Sequence, residues 1–488
     1  MRKRSMARSY AAGVALVALT AEACLVGPNY SRPAVERPPA FRSEPAASPA
    51  SAAEIPASGW WELYADPELD RLIEGANAAN QTLRQAVARV DEARALARVA
   101  GSYLYPSVSA NPGFSRTRVS GTRASPTTGQ PVTGAVTYND WIVPADLSYE
   151  IDVWGRVRRS YESSRAMARA AAADEAVVAL AVQADVASFY YTIRSLDAQN
   201  EILEDTVAAY REQVRILSAQ LKNGLVGPIV VYQAQAILNT TVAQQRDVQR
   251  ARADLEHAIA ILCGRAAPAF SIAAIPRGDE GEAAAKAPSA PPCVPIGLPA
   301  DLLNQRPDVA EAEQNVVAAN ASVGVAMAEF YPRFTLTGLA GFESERTTDL
   351  FQWQSFIASI LPGISIPLFQ GGRLKANLAA VRAQYDQTVA AYVQQVLAAY
   401  GDVEDALTDL HALTDEVGSI REALDASRNY LRLARAQYKY GLVDYLVVID
   451  AERTLLSNQL QLTQTVNLQM GASVHLIKAL GGSWEPFG

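Results

Sequence analysis

Six acidic residues crowd one stretch of this chain: Asp402, Glu404, Asp405, Asp409, Asp415 and Glu416. Carboxylates at that density could ligate a metal ion. At helical spacing they point to several faces, which suits a solvated surface or the lining of a lumen better than one convergent site. The imidazoles add no ligand set, because His257, His411 and His475 stand apart in the sequence. No HExxH, GxSxG, Walker-type loop or CxxC occurs. The sequence therefore predicts no catalytic residue, no metal site and no enzyme.

The remaining chemistry belongs to three thiols. Cys24 follows a basic start, an apolar run from Ala11 to Leu19 and a few small residues. That layout reads as a secretory signal over residues 1–23, and its apolar run is too short to span a bilayer. A Cys directly after a signal points to bacterial lipoprotein processing, with diacylglycerol on the thiol. Ala21-Glu22-Ala23 places an acid inside the usual lipobox, so ordinary cleavage with an incidental thiol is the alternative. Cys263 and Cys293 could pair in an oxidising compartment. Cys263, however, occupies a repeat position whose counterpart is Leu480, which favours a packed thiol.

The formal net charge is −8 over 488 residues. The first 23 residues hold four basic side chains and Glu22, so the chain beyond them stands at −11. Such an acidic balance argues against nucleic acid as a partner.

The elements around these residues come in two copies. Ala219–Gln233 (AQLKNGLVGPIVVYQ) returns as Ala436–Asp450 (AQYKYGLVDYLVVID), 217 residues later. Each copy reads as a helix that reaches a Gly, turns and restarts, and Gly takes positive φ there without penalty. Asp152–Arg156 faces Phe369–Arg373 at the same offset, whereas Tyr105-Pro106 faces Tyr331-Pro332 at offset 226. Long helical periodicity fills 155–222 and 372–440, each roughly 100 Å if continuous, with only Gly401 and Gly418 interrupting the second. Shorter return helices follow at 229–263 and 445–480. No soluble core needs helices of that length; coiled-coil-like packing into a tube or rod does.

Two hairpins at 106–151 and 332–368 show period two instead. Trp141, Val143, Ala145, Leu147, Tyr149, Ile151 and Val153 alternate with mostly polar neighbours, and Phe356, Ala358, Ile360, Pro362, Ile364, Ile366 and Leu368 share one face. This suits either a soluble sandwich or a transmembrane β-strand. Aromatics near the strand ends (Tyr105, Trp141, Trp154, Tyr331, Trp353, Phe369) suit a membrane-interface girdle or a core. The chain thus divides into signal peptide 1–23, extended lipidated segment 24–65, first repeat 66–265, connector 266–299, second repeat 300–482 and tail 483–488.

Five blocks, in order, carry a specific resemblance: Gly27–Pro33 (GPNYSRP), Trp60-Trp61 through Asp66-Pro67-Glu68-Leu69, Glu150–Arg156 (EIDVWGR), Gly297–Asp308 running on to Tyr331-Pro332, and Phe369–Arg373 (FQGGR). With the twin turns, the chain from Leu25 onward resembles the TolC-like outer-membrane factor family, and within it the OprM/NodT-type outer membrane efflux lipoproteins. Asn304-Gln305 departs from the family pattern, which often has another Arg before Arg306.

The resemblance implies an α+β membrane protein with an internal duplication. A homotrimer would place four strands per chain in a twelve-stranded β-barrel in outer-membrane lipid, continuing into a long periplasmic α-helical barrel. Open strand edges, which lipid forbids, independently demand closure by other subunits. The implied function is a passive exit duct for drugs or other small toxic compounds, fed by a periplasmic adaptor protein and an inner-membrane pump of the RND type. Adaptor docking falls on Gly224, Leu225, Val226, Gly441, Leu442 and Val443. A periplasmic gate falls on Leu446, Asp450 and Arg453, whose spacing of four and three residues shares one helix face. No cofactor is implied beyond a lipid on Cys24. A duct for type I protein secretion or metal-ion efflux is the alternative. A structural periplasmic coiled-coil rod is a weaker one, since it has no use for alternating hairpins. The stripe Arg428, Arg432, Arg435 and Lys439 reads as a solvated face, or as a surface for an acidic adaptor.

Overall fold

The computed structural model describes residues 25–36, 38–42, 59–122, 134–274, 291–292, 294 and 304–484. Cys24, the signal segment, Cys293 and most of the connector lie outside the described residues. In chain order the elements are α1 (Pro67–Ala79), α2 (Gln81–Ser102), β1 (Ser107–Ala110), β2 (Gly113–Val119), β3 (Val136–Ile151), α3 (Arg156–Lys222), α4 (Pro228–Leu262), α5 (Pro307–Ala328), β4 (Arg333–Ser344), β5 (Phe356–Ser365), α6 (Arg373–Lys439) and α7 (Tyr445–Ala479). The paired helices match in length: α2 and α5 have 22 residues, α3 and α6 have 67, α4 and α7 have 35. The offset between copies is 226 up to the first strand and 217 from α3 onward. The nine-residue difference therefore falls inside the first hairpin. Gly401 and Gly418 sit within α6 without breaking it.

The chain forms two compact units. The first comprises Met1–Pro33, Val90–Ala171 and Ala312–Tyr392. Its antiparallel sheet runs β1-β3-β4-β5, with β2 also on β3. β1 and β2 hold one register against β3, Ser107 opposite Ser148 and Val119 opposite Val136. They are one strand interrupted at Asn111-Pro112, where Pro has no N–H for the ladder. The register aligns the apolar rows. Ile151, Phe334 and Ile364 lie in line, as do Tyr149, Leu336 and Pro362, Leu147, Gly338 and Ile360, and Val143, Phe342 and Phe356. The other face carries Glu150 beside Thr335, Ser148 beside Thr337 and Asp146 beside Leu339. Among the described residues two edges remain open, on the β1–β2 side and on β5.

The sequence alternation runs past both strand ends. After Ile151 the chain leaves the ladder, because Asp152 turns to accept the N–H groups of Val157 (3.0 Å) and Arg158 (2.8 Å) at the start of α3. β5 stops at Ser365, two residues before Pro367.

The quoted blocks of this unit are junction pieces. Gly27 (φ +100°) packs on Gly324, where an added Cβ would lie 2.5 Å from the Gly324 Cα. Asn320 donates to the Pro28 carbonyl at 3.0 Å, and the buried Arg159 donates to Asn29 Oδ1 at 2.8 Å. Tyr30 and Arg32 both donate to Glu313. In EIDVWGR, Arg156 makes a two-pronged bond to Glu150 (2.8 Å each) and Trp154 donates to the Pro332 carbonyl at 2.8 Å. Trp154 also rests on Tyr331, with ring centroids 4.8 Å apart. Leu25 lies against Gly155, and Val26 N–H bonds the Trp154 carbonyl at 3.1 Å. The N-terminal segment is thereby tied to the strand-to-helix junction.

The second unit comprises Ala34–Arg89, Ala172–Glu311 and Val393–Gly488. Asp66 caps α1 and also accepts from Tyr190 Oη at 2.7 Å. Trp60, fully buried, donates to Gln183 at 3.1 Å. Around them Leu69, Leu72, Ile73, Val186, Ile193, Ile259, Met470 and Ile477 form the main core. Arg306 is 6% exposed. It donates to both carboxylate oxygens of Asp308 (3.0 and 2.6 Å), to Asp402 (2.9 Å) and to the Ala479 carbonyl (2.9 Å).

Candidate functional site

The acidic stretch disperses along α6. Asp402 serves Arg306, and Glu416 accepts from the Thr465 hydroxyl at 3.2 Å. Among the described residues no group of three or more His, Cys, Asp or Glu is disposed to hold a metal. Cys263 is a buried free thiol whose Sγ donates to the Leu72 carbonyl at 3.5 Å, and burial pushes its pKa up.

The two turns have the same construction. Gly224 (φ +74°) closes α3, with its N–H bonded to the Leu221 carbonyl and the Leu225 N–H bonded to Gln220. Gly441 (φ +70°) closes α6 with the matching bonds, to Tyr438 and from Leu442 to Gln437. This is the Schellman closure, which satisfies the last helix carbonyls and needs a left-handed residue at the turn. Leu225 and Leu442 project from the turns at 73% exposure each, while Val226 and Val443 are half-buried. Beneath the turns, Leu217, Val231, Ala234, Leu431, Ala434, Tyr445, Val448 and Ile449 make a small apolar core that bundles α3, α4, α6 and α7. The helix ends are therefore fixed and the apolar tips free.

Leu446, Asp450 and Arg453 all lie exposed on one face of α7. Tyr445, Val448, Ile449 and Glu452 are buried on the other. Asp450 Oδ2 accepts from the Tyr430 hydroxyl of α6 at 3.1 Å. Among the described residues no ion pair joins Asp450 to Arg453 within the chain. A carboxylate and a guanidinium one helical turn apart and not paired with each other can serve partners outside the chain.

Two contacts here were missed from sequence. Tyr430 was not singled out. Arg435, read as part of a solvated stripe, donates instead to the buried Glu452 at 2.9 Å. Arg428 in the same stripe pairs with exposed Asp425, and Arg432 donates to Asn429. The repeat itself held the signal. At offset 217, Tyr430 and Asp450 replace Gln213 and Gln233, and Arg435 and Glu452 replace Ser218 and Gln235. The second copy has exchanged neutral polar pairs for acid-bearing ones at the same contact positions.

Comparison with known proteins gives one answer throughout. The family model described as outer membrane efflux protein matches residues 72–265 and 298–482. The solvent efflux pump outer membrane protein SrpC of Pseudomonas putida is 34% identical over 430 residues, covering 87% of each chain. The antibiotic efflux pump outer membrane protein ArpC of Pseudomonas putida is 31% identical over 473 residues, covering 96% of this chain and 95% of that one. Among solved structures, the outer-membrane channel OprN superposes with a TM-score of 0.86 at 28% identity, covering 95% of this chain and 100% of that chain.

Proposed function

The chain belongs to the outer membrane efflux protein family and is an outer-membrane efflux channel, and from that premise we propose how its parts divide the work. The carrying observation is the sheet. Its register stacks the rows Ile151–Phe334–Ile364, Tyr149–Leu336–Pro362 and Val143–Phe342–Phe356 on one face, while Leu339, Ile357 and Leu361 are apolar exceptions among the polar residues of the other, and among the described residues two edges stay unpaired. In hydrocarbon an unpaired edge strands backbone N–H and C=O groups at several kcal/mol each. Three copies supply twelve strands, counting β1 and β2 as one, and close a barrel with its apolar face to lipid and its Glu150–Thr335 face to water. The half-exposed Tyr331 and the exposed Trp353 and Phe369 suit the interface belts of such a barrel.

The channel works passively, within a tripartite system that includes a periplasmic adaptor and an inner-membrane pump, here of the RND type. The exposed Leu225 and Leu442 at the two rigid turns are the adaptor's apolar contacts. Leu446, Asp450 and Arg453 form stacked rings in the trimer, one apolar and two of opposite charge, that narrow the periplasmic end. A diacylglycerol on Cys24 would anchor the segment whose next residue, Leu25, is packed at the strand-to-helix junction. The relatives named for solvent and antibiotic efflux favour small apolar or amphipathic cargo.

Native mass spectrometry of the detergent-purified protein tests the assembly. The expected mass is three chains, each carrying a lipid increment that Cys24→Ala removes. A folded, stable monomer would refute barrel closure by three copies.

A further inference from the structure

Beside the proposed gate, two buried polar atoms lie without a hydrogen-bond partner among the described residues. Glu452 sits on α7 between Asp450 and Arg453 but turns the opposite way and is 9% exposed. Its Oε1 accepts from Arg435 of α6 at 2.9 Å, whereas its Oε2 is buried and makes no hydrogen bond to the protein. Tyr210 of α3 is 6% exposed, and its hydroxyl is likewise buried and unbonded. Both residues line one cavity of about 700 Å³, whose apolar wall includes Ile202, Leu424, Leu431 and Leu455. Burial first, and then the charge of Glu452, push the Tyr210 hydroxyl pKa up to about 12, so it remains a proton donor at neutral pH.

A buried carboxylate oxygen and a buried hydroxyl, both idle, each carry a desolvation cost. A second arrangement of packed elements is one way such a cost is relieved. The cavity between α3, α6 and α7 leaves room for that second arrangement.

We propose that Glu452 is a positioning residue for the gate, with two states: one in which Arg435 alone holds it, as here, and one in which α7 has turned so that the Tyr210 hydroxyl donates to Glu452 Oε2. Leu446, Asp450 and Arg453 ride the opposite face of the same helix, so the turn that makes this bond swings them away from the duct axis. The Tyr210–Glu452 bond thus belongs to the conducting state, and Arg435 stays bound to Glu452 Oε1 in both. This inference rests on the gate reading given above.

Tyr210→Phe tests it with minimal disturbance, because the ring and its packing stay. The hydroxyl has no protein partner in the present state, so the thermal midpoint should match wild type. In the background Asp450→Ala/Arg453→Ala, channel open probability in a planar bilayer should fall about fivefold, the scale of one net hydrogen bond. A structure of the adaptor-bound protein reads the pairing independently of conductance, with Tyr210 Oη and Glu452 Oε2 expected about 3 Å apart. A lowered thermal midpoint with unchanged opening, or an adaptor-bound structure with the two atoms still apart, would overturn the proposal. If the pair forms on adaptor binding while Asp450→Ala/Arg453→Ala leaves conductance untouched, the gate assignment fails and the two-state contact stands.

Discussion

Tyr430 of α6 donates its hydroxyl proton to Asp450 Oδ2 of α7 across 3.1 Å. The bond ties the outgoing helix of the second repeat to the returning one, at the level where α7 presents its charged face. The first repeat has Gln213 and Gln233 at these positions. An amide can donate as well as accept, whereas Asp450 can only accept. Its second oxygen thus remains available to a cation from another copy.

Tyr430→Phe should therefore loosen the aim of Asp450 without unfolding the chain. Tyr430 lies exposed, so the thermal midpoint should barely move, since a solvent-accessible bond of this kind contributes on the order of 1 kcal/mol or less. Resting conductance should rise, but by less than on removal of the Asp450 carboxylate itself. Single-channel recording of Tyr430→Phe beside Asp450→Ala checks the order. Equal conductance in wild type and both variants would detach this bond from any role at the pore.

Arg306 predicts an acid limit to stability. Burial alone would raise the Asp308 pKa, yet the hydrogen bonds and charge of Arg306 outweigh it and hold the carboxyl below its ordinary value. A depressed folded pKa contributes stability that is complete above the unfolded value, near 3.9, and that is lost as pH falls through the lower folded value. Unfolding midpoints should be flat from neutral pH down to about 4 and drop below it. In Arg306→Met that acid-linked drop should shrink. The variant should also be less stable at neutral pH, by roughly 1–3 kcal/mol, because the half-buried Asp308 loses its charged partner and keeps only the bonds from Gln395 and the Val309 N–H. Thermal melts from pH 3 to 8 decide this; a wild-type melt that does not change below pH 4 would contradict it.

Glycines at the two ends of the return helices should behave differently according to their surroundings, alike in both repeats. Gly264 (φ +62°) and Gly481 (φ +97°) follow α4 and α7, and an added Cβ would overlap the Ala79 carbonyl oxygen in the first case and that of Gln305 in the second. Gly224 and Gly441 at the turns have nothing within 4 Å. Gly224→Ala should cost only the left-handed backbone strain, about 1–2 kcal/mol. Gly481→Ala adds a backbone clash and should cost clearly more. Melting temperatures of the two variants test the ranking, and a smaller loss for Gly481→Ala would reverse it.

Much of this architecture could be read from residue types and spacing. The two turns announce themselves because a Gly at the end of a long uninterrupted helix has few other uses, and the copies share eight residues. The strand face was legible because register must superimpose the apolar rows, and Tyr149, Leu336 and Pro362 do align. Strand ends were not, since alternation persists through Val153 and Leu368 although Asp152 and Pro367 end the ladders. The face of α7 that carries Leu446, Asp450 and Arg453 was singled out through family resemblance. Its contacts were not, because Tyr430 and Glu452 meet their partners 20 and 17 residues away across a helix pair. The register of two helices around a turn is set by tertiary packing that local periodicity does not encode.

The proposed duct is closed at its periplasmic end by Leu446, Asp450 and Arg453. Single-channel conductance of the purified protein in a planar bilayer, beside Asp450→Ala/Arg453→Ala, tests it most directly. Wild type should show a small, mostly closed conductance that rises severalfold in the variant. A verified membrane trimer that conducts no ions in either form would contradict the duct, and a pore of unchanged conductance in the variant would contradict the gate.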